Sequence, residues 1–357
     1  MKENLRVGIL TSGGDCQALN AAMRGVVLAL HEKKRNTEII GIENGFEGLV
    51  NGNFRTLVKE DFEDILSQGG TILGSSRMPF KHINEPDENG VEKIPAMMEN
   101  YKKMGLDCLV VLGGNGSQKT ANLLSLKGLN IVSLPKTIDN DVTETDLTFG
   151  YASALEVASE TIGNIKTTAA SHSRIFIVEI MGHKTGHLAL NAGIAGGADV
   201  VLIPELPFDA ISVAEKIRQN EIEGKRYSIV VVAEGAKSKE DTLLSKKEYK
   251  AKVGGLSVSF ILASQLRMLC NKDVRVSIPG HVQRGGSPCT QDRILASRLG
   301  AAAAECIVQK NFGVMVSLRN GKIIPVELNK VAGFTKYVDV ESDIISQAKS
   351  LGICFGI

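Results

Sequence analysis

Residues 135–141 concentrate reactive side chains directly after a short apolar run. They read Pro-Lys-Thr-Ile-Asp-Asn-Asp and supply a cation, a hydroxyl group, an amide and two carboxylates. The preceding residues 130–134 are partly β-branched and are followed by a proline, which predicts a buried strand that ends there. Ligands of open α/β sheets bind at the carboxyl ends of strands, where a carboxylate can accept a proton and a lysine can bind phosphate. Taken alone, the segment fits a capped surface turn equally well.

Three glycine-rich segments strengthen the phosphate interpretation. Predicted strands lead into Ser-Gly-Gly-Asp at 12–15 and into Gly-Gly-Asn-Gly-Ser at 113–117, and a helix is predicted after each turn. The third segment, 69–77, ends in Arg77, whose planar guanidinium suits phosphate oxygens. Such turns direct backbone N–H groups and helix N-termini at anions. None carries a Walker A lysine or a Rossmann GxGxxG pattern, so neither motif applies.

Composition narrows the class of protein. A chain of 357 residues has material for two or three domains, and its formal net charge of +1 gives no general attraction to nucleic acid or membranes. Six cysteines without a CxxC pair predict reduced thiols, and no apolar stretch approaches the ~20 residues that cross a bilayer. The six histidines show no spacing typical of a metal site. We therefore expect a cytoplasmic protein without nucleic-acid or membrane partners.

The second half of the chain continues the alternation of strands and helices. Predicted strands at 174–180, 228–233 and 274–278 each run into a polar segment. The pattern predicts an α/β fold of two interleaved three-layer domains with parallel-rich sheets. The expected division is a phosphate-donor domain at 1–140 and 256–308, a sugar-phosphate domain at 141–255, and a packing or interface segment at 309–357.

The predicted strand ends together hold many cations and a few acids. The cations are Arg77, Lys136, Arg174, His183, Arg275, His281 and Arg284, and the acids are Asp139, Asp141 and Glu234. This set suits two phosphorylated ligands and one proton acceptor. Phosphoryl transfer needs these parts: charge neutralisation, alignment of the two oxygens and a base for the nucleophile.

In order and spacing, these motifs resemble the 6-phosphofructokinase family over residues 6–308. The segments that carry the resemblance are 12–15, 69–77, 113–117, 135–141, 181–183, 233–235 and 280–288. The resemblance implies a phosphofructokinase-like fold and a glycolytic kinase. Such a kinase transfers a terminal phosphoryl group to the 1-hydroxyl of fructose 6-phosphate and yields fructose 1,6-bisphosphate.

The resemblance also implies a role for each motif residue. Asp139 would be the catalytic base, and the other catalytic positions would be Thr137, Arg77 and Arg174. Donor binding would fall to Gly14, Arg77, Met78, Gly114, Asn115, Gly116, Ser117 and Lys136. Sugar-phosphate binding would fall to Thr137, Ile138, Asp139, Arg174, Met181, Gly182, His183, Glu234, Arg275, His281, Val282, Gln283 and Arg284. Asn115 and Asp141 would hold the Mg²⁺ cofactor.

Shared active sites are a further implication of the resemblance. Relatives contribute the arginines at the positions of Arg174 and Arg275 from a neighbouring subunit. The resemblance therefore implies a homo-oligomer, a tetramer or a dimer, whose lone subunit has incomplete sites.

Two positions point to different phosphate donors. Gly116 leaves room for the α-phosphate and ribose of ATP, whereas Lys136 is typical of pyrophosphate-dependent relatives. A side chain at position 116 would block ATP sterically, whereas an added cation at position 136 does not exclude it. We therefore expect ATP as the donor, and the alternative is an enzyme that uses pyrophosphate or both donors. Asn115 and His183 also depart from the family, which usually has an acid and often an arginine there. A neutral amide holds a hard cation less well than an acid.

Other functions remain open at this stage. A sugar-phosphate-binding regulator would keep the phosphate sites while Asn115 weakens catalysis, although Asp139, Thr137 and Arg284 are retained. An NAD or lipid kinase would explain residues 113–117 but not residues 280–288. A related ketose phosphate, such as sedoheptulose 7-phosphate, would use much the same contacts.

Nucleotide regulation is the last expectation from the sequence. Arg24, Lys166 and Lys225 match basic effector positions of bacterial relatives, but Leu28 and Glu223 replace others. We therefore expect reduced or altered regulation.

Overall fold

A computed structural model describes residues 4–34 and 36–357. Its strands are β1 (Leu5–Ser12), β2 (Thr37–Ile42), β3 (Phe54–Leu57), β4 (Cys108–Gly113), β5 (Ile131–Thr137), β6 (Phe149–Gly150), β7 (Ile175–Ile180), β8 (Val200–Leu202), β9 (Ser228–Ala233), β10 (Val274–Ser277), β11 (Val314–Arg319) and β12 (Lys322–Glu327). Its α-helices are α1 (Leu19–Lys33), α2 (Gly45–Asn51), α3 (Lys93–Lys103), α4 (Asn115–Leu126), α5 (Tyr151–His172), α6 (His187–Gly196), α7 (Ala210–Ile222), α8 (Lys246–Val253), α9 (Val258–Cys270), α10 (Thr290–Val308), α11 (Leu328–Val331) and α12 (Asp343–Ser350).

The chain forms two compact units, and each is built from two separate segments. Unit 1 contains the residues up to Ser153 together with Arg284–Thr335, and unit 2 contains Ala154–Gln283 and Lys336–Ile357. The interleaving predicted from the sequence is therefore present. The bounds differ from the predicted domains because α9 and β10 belong to unit 2, where β10 pairs in parallel with β7.

Unit 1 is organised around a mostly parallel sheet. Its strands lie in the order β12-β11-β5-β4-β1-β2-β3, and β6 pairs with β5. The outer pairs β11/β12 and β2/β3 are antiparallel, whereas the central pairs are parallel. Every residue of β4 and β5 is buried, as expected for interior parallel strands covered on both faces. The carboxyl ends of β1, β4 and β5 consequently lie side by side.

Unit 2 has a smaller sheet in which every pairing is parallel. Its strands lie in the order β10-β7-β9-β8. Most side chains of β7 and β9 are apolar, and all six residues of β9 are buried. The fold class is confirmed as α/β with parallel-rich sheets.

Close packing of helices α1 and α10 explains two glycines of unit 1. A Cβ atom on Gly25 would lie 2.7 Å from the Ser297 carbonyl oxygen, and one on Gly300 would lie 2.5 Å from the Ala22 carbonyl oxygen. Larger residues would push the helices apart. These small residues fix α10 beside α1, whose N-terminus follows the 12–15 turn.

Pro135 does not end its strand, contrary to the prediction. Strand β5 continues to Thr137, so Lys136 and Thr137 lie within the sheet. On one side β5 pairs with β11 only at Val132 and Ser133, and β6 takes over at Lys136. Pro135 falls in the gap between these pairings, where a missing N–H breaks no ladder bond.

Two further observations concern the cysteines and the possibility of membrane-spanning helices. All six cysteines are free thiols. Within the described residues, no single helix is long and apolar enough to cross a membrane, although the bent pair Lys247–Val253 and Val258–Cys270 reaches that length and composition together.

Candidate functional site

The glycine-rich segment 69–77 is fastened to the turn that follows β1. The Ser75 hydroxyl donates to the Gly13 carbonyl oxygen at 2.6 Å, and the Gly13 N–H donates to the Ser76 carbonyl oxygen at 2.9 Å. The Thr11 hydroxyl donates to the Gly74 carbonyl oxygen at 2.6 Å. These bonds bring two of the predicted phosphate-binding segments together in unit 1. Arg77, at the end of the second, is exposed to solvent.

The turn after β4 packs against the turn after β1. Gly113 is the register partner of Ser12, and the Ser117 hydroxyl donates to the Ser12 hydroxyl at 2.9 Å. A Cβ atom on Gly113 would lie 2.2 Å from the Ser117 Cβ, so only glycine fits there. Gly116 differs, because an added Cβ would meet no atom within 4 Å. The first turn of α4 therefore presents open space at Gly116.

Gln118 anchors α4 to the sheet beneath it. Its side chain is fully buried, and its Nε2 group donates to the carbonyl oxygens of Gly113 at 2.9 Å and of Leu134 at 3.2 Å. The Ser133 hydroxyl donates to Gln118 Oε1 at 2.6 Å. The helix N-terminus is thereby held at a fixed position over the ends of β4 and β5.

Two cations lie on the carbonyl groups of the 12–15 turn. The Lys136 ammonium group donates to the Gly14 carbonyl oxygen, and Arg284 Nη1 donates to the Asp15 carbonyl oxygen at 2.9 Å. A Cβ atom on Gly14 would lie 2.8 Å from Arg284 Nη1, so the absence of a side chain lets the guanidinium lie against the backbone. Lys136 is 3% exposed, and burial lowers its pKa below the usual range. The two basic side chains nevertheless make the turn electropositive, which suits phosphate.

The acids after β5 are buried in a loop shaped by local hydrogen bonds. Asp139 is 9% exposed, and its N–H donates to the Thr137 hydroxyl at 3.1 Å. The Thr148 hydroxyl donates to the Thr137 carbonyl oxygen at 2.8 Å, and the Thr148 N–H donates to Asn140 Oδ1 at 3.1 Å. Asn140 has a φ of 51°, the left-handed conformation that asparagine tolerates better than most residues. The loop turns sharply there and fixes the backbone of Asp139.

Asn115 and Asp141 are in direct contact. Asn115 Nδ2 donates to Asp141 Oδ2 at 2.8 Å and to the Asp141 carbonyl oxygen at 3.0 Å. The other amide atom, Asn115 Oδ1, is buried and accepts no hydrogen bond within the described residues. A hard cation such as Mg²⁺ can be coordinated by an amide oxygen and one carboxylate, provided that water or phosphate oxygens supply its other ligands. Within the same residues, no cluster of three His, Cys, Asp or Glu side chains could hold a metal without such help.

In unit 2, the segment after β7 is held by the acid that follows β9. Glu234 Oε1 accepts the N–H of Gly182 at 3.3 Å and of His183 at 2.6 Å. A Cβ atom on Gly235 would lie 2.3 Å from the His183 carbonyl oxygen, which explains the Glu-Gly pair. Glu234 and His183 are both exposed, so these strand ends can present polar groups to a ligand.

Gln283 connects the segment after β7 to the segment after β10 by hydrogen bonds. Its side chain is fully buried, accepts the Met181 N–H at 3.3 Å and donates to the Gly280 carbonyl oxygen at 3.0 Å. His281 is exposed, as is Val282. Ile138 of unit 1 is also fully buried. The predicted sugar contacts of Gln283 and Ile138 stay predictions, and their burial favours a supporting role for both.

Arg174 and Arg275 lie at the other end of the unit 2 sheet. Arg174 directly precedes β7, whereas Met181 directly follows it. Six strand residues separate them by about 20 Å. Arg275, the second residue of β10, pairs with Phe176 near the same amino end. One phosphate group cannot contact both Arg174 and the 181–183 segment of the same chain.

The fold and its strand-end turns define an α/β protein of the phosphoryl-transfer class. The phosphofructokinase family model matches residues 6–307. The chain is 48% identical to an ATP-dependent 6-phosphofructokinase of Spirochaeta thermophila, with 98% of this chain and 97% of the relative covered. It is 41% identical to ATP-dependent 6-phosphofructokinase 3 of Bacteroides thetaiotaomicron, with 99% of this chain and 100% of the relative covered. This chain belongs to the phosphofructokinase family.

Solved structures agree with this assignment. Phosphofructokinase from Saccharomyces cerevisiae superposes with a TM-score of 0.76 at 32% identity; the match covers 92% of this chain and spans 45% of the yeast chain. A pyrophosphate-dependent phosphofructokinase from Marinobacter aquaeolei superposes with a TM-score of 0.80 at 21% identity, covering 95% of this chain and 87% of the other. At that identity the second likeness concerns the fold alone.

Several supporting residues were missed by the sequence interpretation. Gln118, Ser133, Thr148 and Asp273 make the buried or shared bonds around the predicted site residues. Ser133 carried a signal, because a hydroxyl inside an apolar strand needs a partner. Each of the other three has at least one partner that only the folded chain brings close: Leu134 for Gln118, Thr137 for Thr148 and Arg174 for Asp273.

Proposed function

We propose that the protein is an ATP-dependent 6-phosphofructokinase that phosphorylates fructose 6-phosphate at its 1-hydroxyl in glycolysis. The names of its relatives and the family match support this activity. The observation that carries the proposal in the molecule itself is the electropositive 12–15 turn beside the buried carboxylates of the 136–141 segment. Electropositive turns neutralise donor phosphates, and the carboxylate acts on the acceptor.

In the proposed reaction, Asp139 accepts the proton of the 1-hydroxyl as that oxygen attacks the terminal phosphorus atom. The bond to the bridging oxygen of ATP breaks, and ADP leaves with the electron pair. Lys136 and Arg77 neutralise the charge on the transferred group, and the N–H groups at the start of α4 bind the donor phosphates. Arg284 lies on the same turn and orients it.

Mg²⁺ is the proposed cofactor. When bound, it neutralises the donor phosphates and draws them into alignment. Asn115 Oδ1 and the Asp141 carboxylate would hold it, because one is a buried oxygen without a described hydrogen bond and the other lies against the same amide. The remaining ligands would come from phosphate oxygens and water.

The sugar phosphate is proposed to bind at the strand ends of unit 2. Glu234 and the 181–183 segment would contact sugar hydroxyls, and His281 would contact the 6-phosphate. Along β7, Arg174 lies about 20 Å and Arg275 about 17 Å from the 181–183 segment of their own chain. We infer that they bind the sugar phosphate held by a neighbouring copy, so the active enzyme is a homo-oligomer. We place it in the cytoplasm.

The open space at Gly116 supports ATP as donor. An aspartate there would put a negative charge where the α-phosphate of ATP passes. We therefore expect Gly116→Asp to lower kcat/KM for ATP by about tenfold or more, which corresponds to about 1.4 kcal/mol of lost transition-state binding. Gly163→Asp is the matched control, since an added Cβ there also meets no atom within 4 Å.

The measurement is the initial rate of fructose 1,6-bisphosphate formation with Mg²⁺, comparing ATP with pyrophosphate for the wild type and both variants. A higher kcat/KM with pyrophosphate in the wild type would show that Lys136 outweighs Gly116 and that the donor assignment is wrong. Fructose 6-phosphate binding without turnover by either donor would favour a sugar-phosphate-binding regulator instead.

A further inference from the structure

Asp273 connects the two arginines that face away from their own chain's sugar site. Its Oδ2 atom lies 2.9 Å from Arg174 Nε and 3.0 Å from Arg275 Nη2. A single carboxylate oxygen therefore pairs with two guanidinium groups. No motif or predicted role included this acid.

The backbone of the sheet fixes this arrangement. Val274 is the register partner of Ile175, so Asp273 lies opposite Arg174 across the β10/β7 pair. The Ile175 N–H donates to the Asp273 carbonyl oxygen at 3.2 Å and extends the pairing to this position. Asp273 and Arg275 are two residues apart, so their side chains project from one face of the strand. The three charged groups meet because of strand register rather than by chance contact of long side chains.

Within residues 4–34 and 36–357, the bonding pattern leaves most of the guanidinium donors available. Arg174 uses its Nε atom and Arg275 uses one Nη atom, whereas each guanidinium carries five N–H donors. The Arg174 side chain is 33% exposed and the Arg275 side chain is 55% exposed. Two cations this close repel each other, and the shared carboxylate offsets that repulsion. Both planar groups are thus held side by side with their outer edges free for an anion.

We propose that Asp273 is a positioning residue for sugar-phosphate binding, which holds Arg174 and Arg275 at the spacing of one phosphate group. The inference rests on the proposed function, in which these arginines bind the phosphate of a substrate held by a neighbouring copy. Asp273 itself does not touch the substrate. Its effect reaches the phosphate only through the two guanidinium groups.

The first test is the steady-state kinetics of Asp273→Asn. Loss of a charge-assisted hydrogen bond should raise KM for fructose 6-phosphate by about tenfold, while KM for ATP and kcat stay within about twofold. Asp273→Glu restores the carboxylate and should bring KM for the sugar phosphate back to within about threefold of wild type. Glu215→Gln, which removes an exposed acid of unit 2 without a described ion pair, is the control and should change neither KM.

A double-mutant cycle tests whether Asp273 acts through the arginines. In a chain that already carries Arg174→Ala and Arg275→Ala, Asp273→Asn should produce no further rise in KM for fructose 6-phosphate. An undiminished rise in that background would overturn the inference. So would an unchanged or lowered KM in the single variant, equal effects on both KM values and kcat, or dissociation of the oligomer in sedimentation.

The wild-type enzyme separates the two claims. Turnover of fructose 6-phosphate with ATP by the wild type, together with unaltered kinetics of Asp273→Asn, would overturn only the positioning role. Absence of wild-type turnover with either donor would overturn the proposed function, and the inference with it.

Discussion

At the scale of single residues, Asn115 bears most directly on metal binding. Its amide group is committed to Asp141, with bonds of 2.8 Å to the carboxylate and 3.0 Å to the carbonyl oxygen. A neutral ligand here leaves one carboxylate where two acids would bind a hard cation more tightly. The proposed magnesium site therefore depends more heavily on donor phosphates than a two-acid site would.

Asn115→Asp should strengthen metal binding. A second carboxylate beside Asp141 adds charge for Mg²⁺, so we expect the Mg²⁺ concentration for half-maximal rate to fall several-fold, by about fivefold. Without Mg²⁺ the two acids repel each other and the amide donor is lost, which should destabilise the fold by about 1–3 kcal/mol. Magnesium titrations of the rate and thermal unfolding with and without Mg²⁺ would measure both effects.

An unaltered magnesium requirement in this variant would count against metal binding at Asn115 and Asp141. Asn115→Ala removes both the amide oxygen and the bond to Asp141. It should raise the half-saturating Mg²⁺ concentration. A lower value in the alanine variant would contradict the assignment.

Residue types at strand ends were predictable because function places polar groups where the apolar pattern stops. The cations on the 12–15 turn were harder to predict. Lys136 was expected after the strand but lies inside it, and Arg284 comes from far along the chain to the Asp15 carbonyl oxygen. Chemistry could be inferred from local sequence, whereas partners separated by hundreds of residues depend on the tertiary fold.

At the scale of elements, helix α6 shows how the end of the chain is attached to unit 2. His187 begins α6, and its Nε2 atom lies 3.0 Å from the Lys336 carbonyl oxygen. Burial lowers the pKa of His187 from 6.5 to about 4. A neutral imidazole with its proton on Nε2 donates this bond, and a positive charge at a helix N-terminus would be unfavourable.

Acid should therefore weaken unit 2 through His187. The folded pKa lies below the unfolded value, so the unfolded chain binds an extra proton as pH falls from 6.5 towards 4, and stability decreases over that window. Above pH 6.5 the neutral imidazole of His187 contributes its full share to the free energy of unfolding. At pH 4 up to about 3 kcal/mol of that free energy is lost. His187→Gln keeps an N–H donor without the titration. Urea unfolding between pH 7 and pH 4 should show a shallower decline for the variant, and parallel curves would disprove this role.

Element prediction succeeded where periodicity was strong and failed where a local signal was overlooked. Strand β9 has the bounds that its uninterrupted apolar pattern predicts. The β11/β12 hairpin was missed, although Asn320-Gly321 is a strong hairpin turn signal. Both turn residues adopt positive φ angles, 50° for Asn320 and 76° for Gly321. The hairpin completes the edge of the unit 1 sheet, so the C-terminal segment is partly structural.

At the scale of the whole molecule, interleaving was predictable but its boundaries were not. The predicted crossings near 141 and 255 followed motif positions, whereas the compact units change at 153/154, 283/284 and 335/336. Strand pairing determines the boundaries between the units. Strand β10 pairs with β7 and so belongs to unit 2, whereas the chain returns to unit 1 from Arg284 onwards. Sequence motifs mark function and do not mark which sheet a strand enters.

Arrangement of basic groups also bears on regulation of the whole enzyme. Lys225 pairs with Asp199 and lies 4.8 Å from the centre of the Tyr227 ring, and Arg24 donates to the Glu63 carbonyl oxygen at 3.2 Å. Cations already engaged by the protein attract a nucleotide phosphate less strongly. These contacts are consistent with the expectation of reduced or altered regulation, and strongly sigmoidal kinetics reset by ADP would refute it.

The proposed sharing of active sites between copies leads to the prediction that tests the assembly itself. Asp139→Asn removes the proposed base, and Arg174→Ala removes an arginine that is proposed to serve the neighbouring copy. A hybrid of the two chains holds one site in which the Asp139 of one chain meets the Arg174 of the other. Co-expression in equal amounts should therefore recover about a quarter of the wild-type activity, because half of random pairs are hybrids and each has one intact site of two.

The control for this recovery is a pair of changes at one site. Asp139→Asn and Thr137→Ala both change the site at the carboxyl end of β5, and in each copy the two residues come from one chain. There the Asp139 N–H donates to the Thr137 hydroxyl. Their hybrids contain no site with both groups intact, so co-expression should restore nothing. Native mass spectrometry would show whether hybrids form. If hybrids of Asp139→Asn with Arg174→Ala form but stay inactive, Arg174 does not act on a neighbour's substrate. Recovery of activity depends only on one chain's Arg174 serving the site that holds the other chain's Asp139.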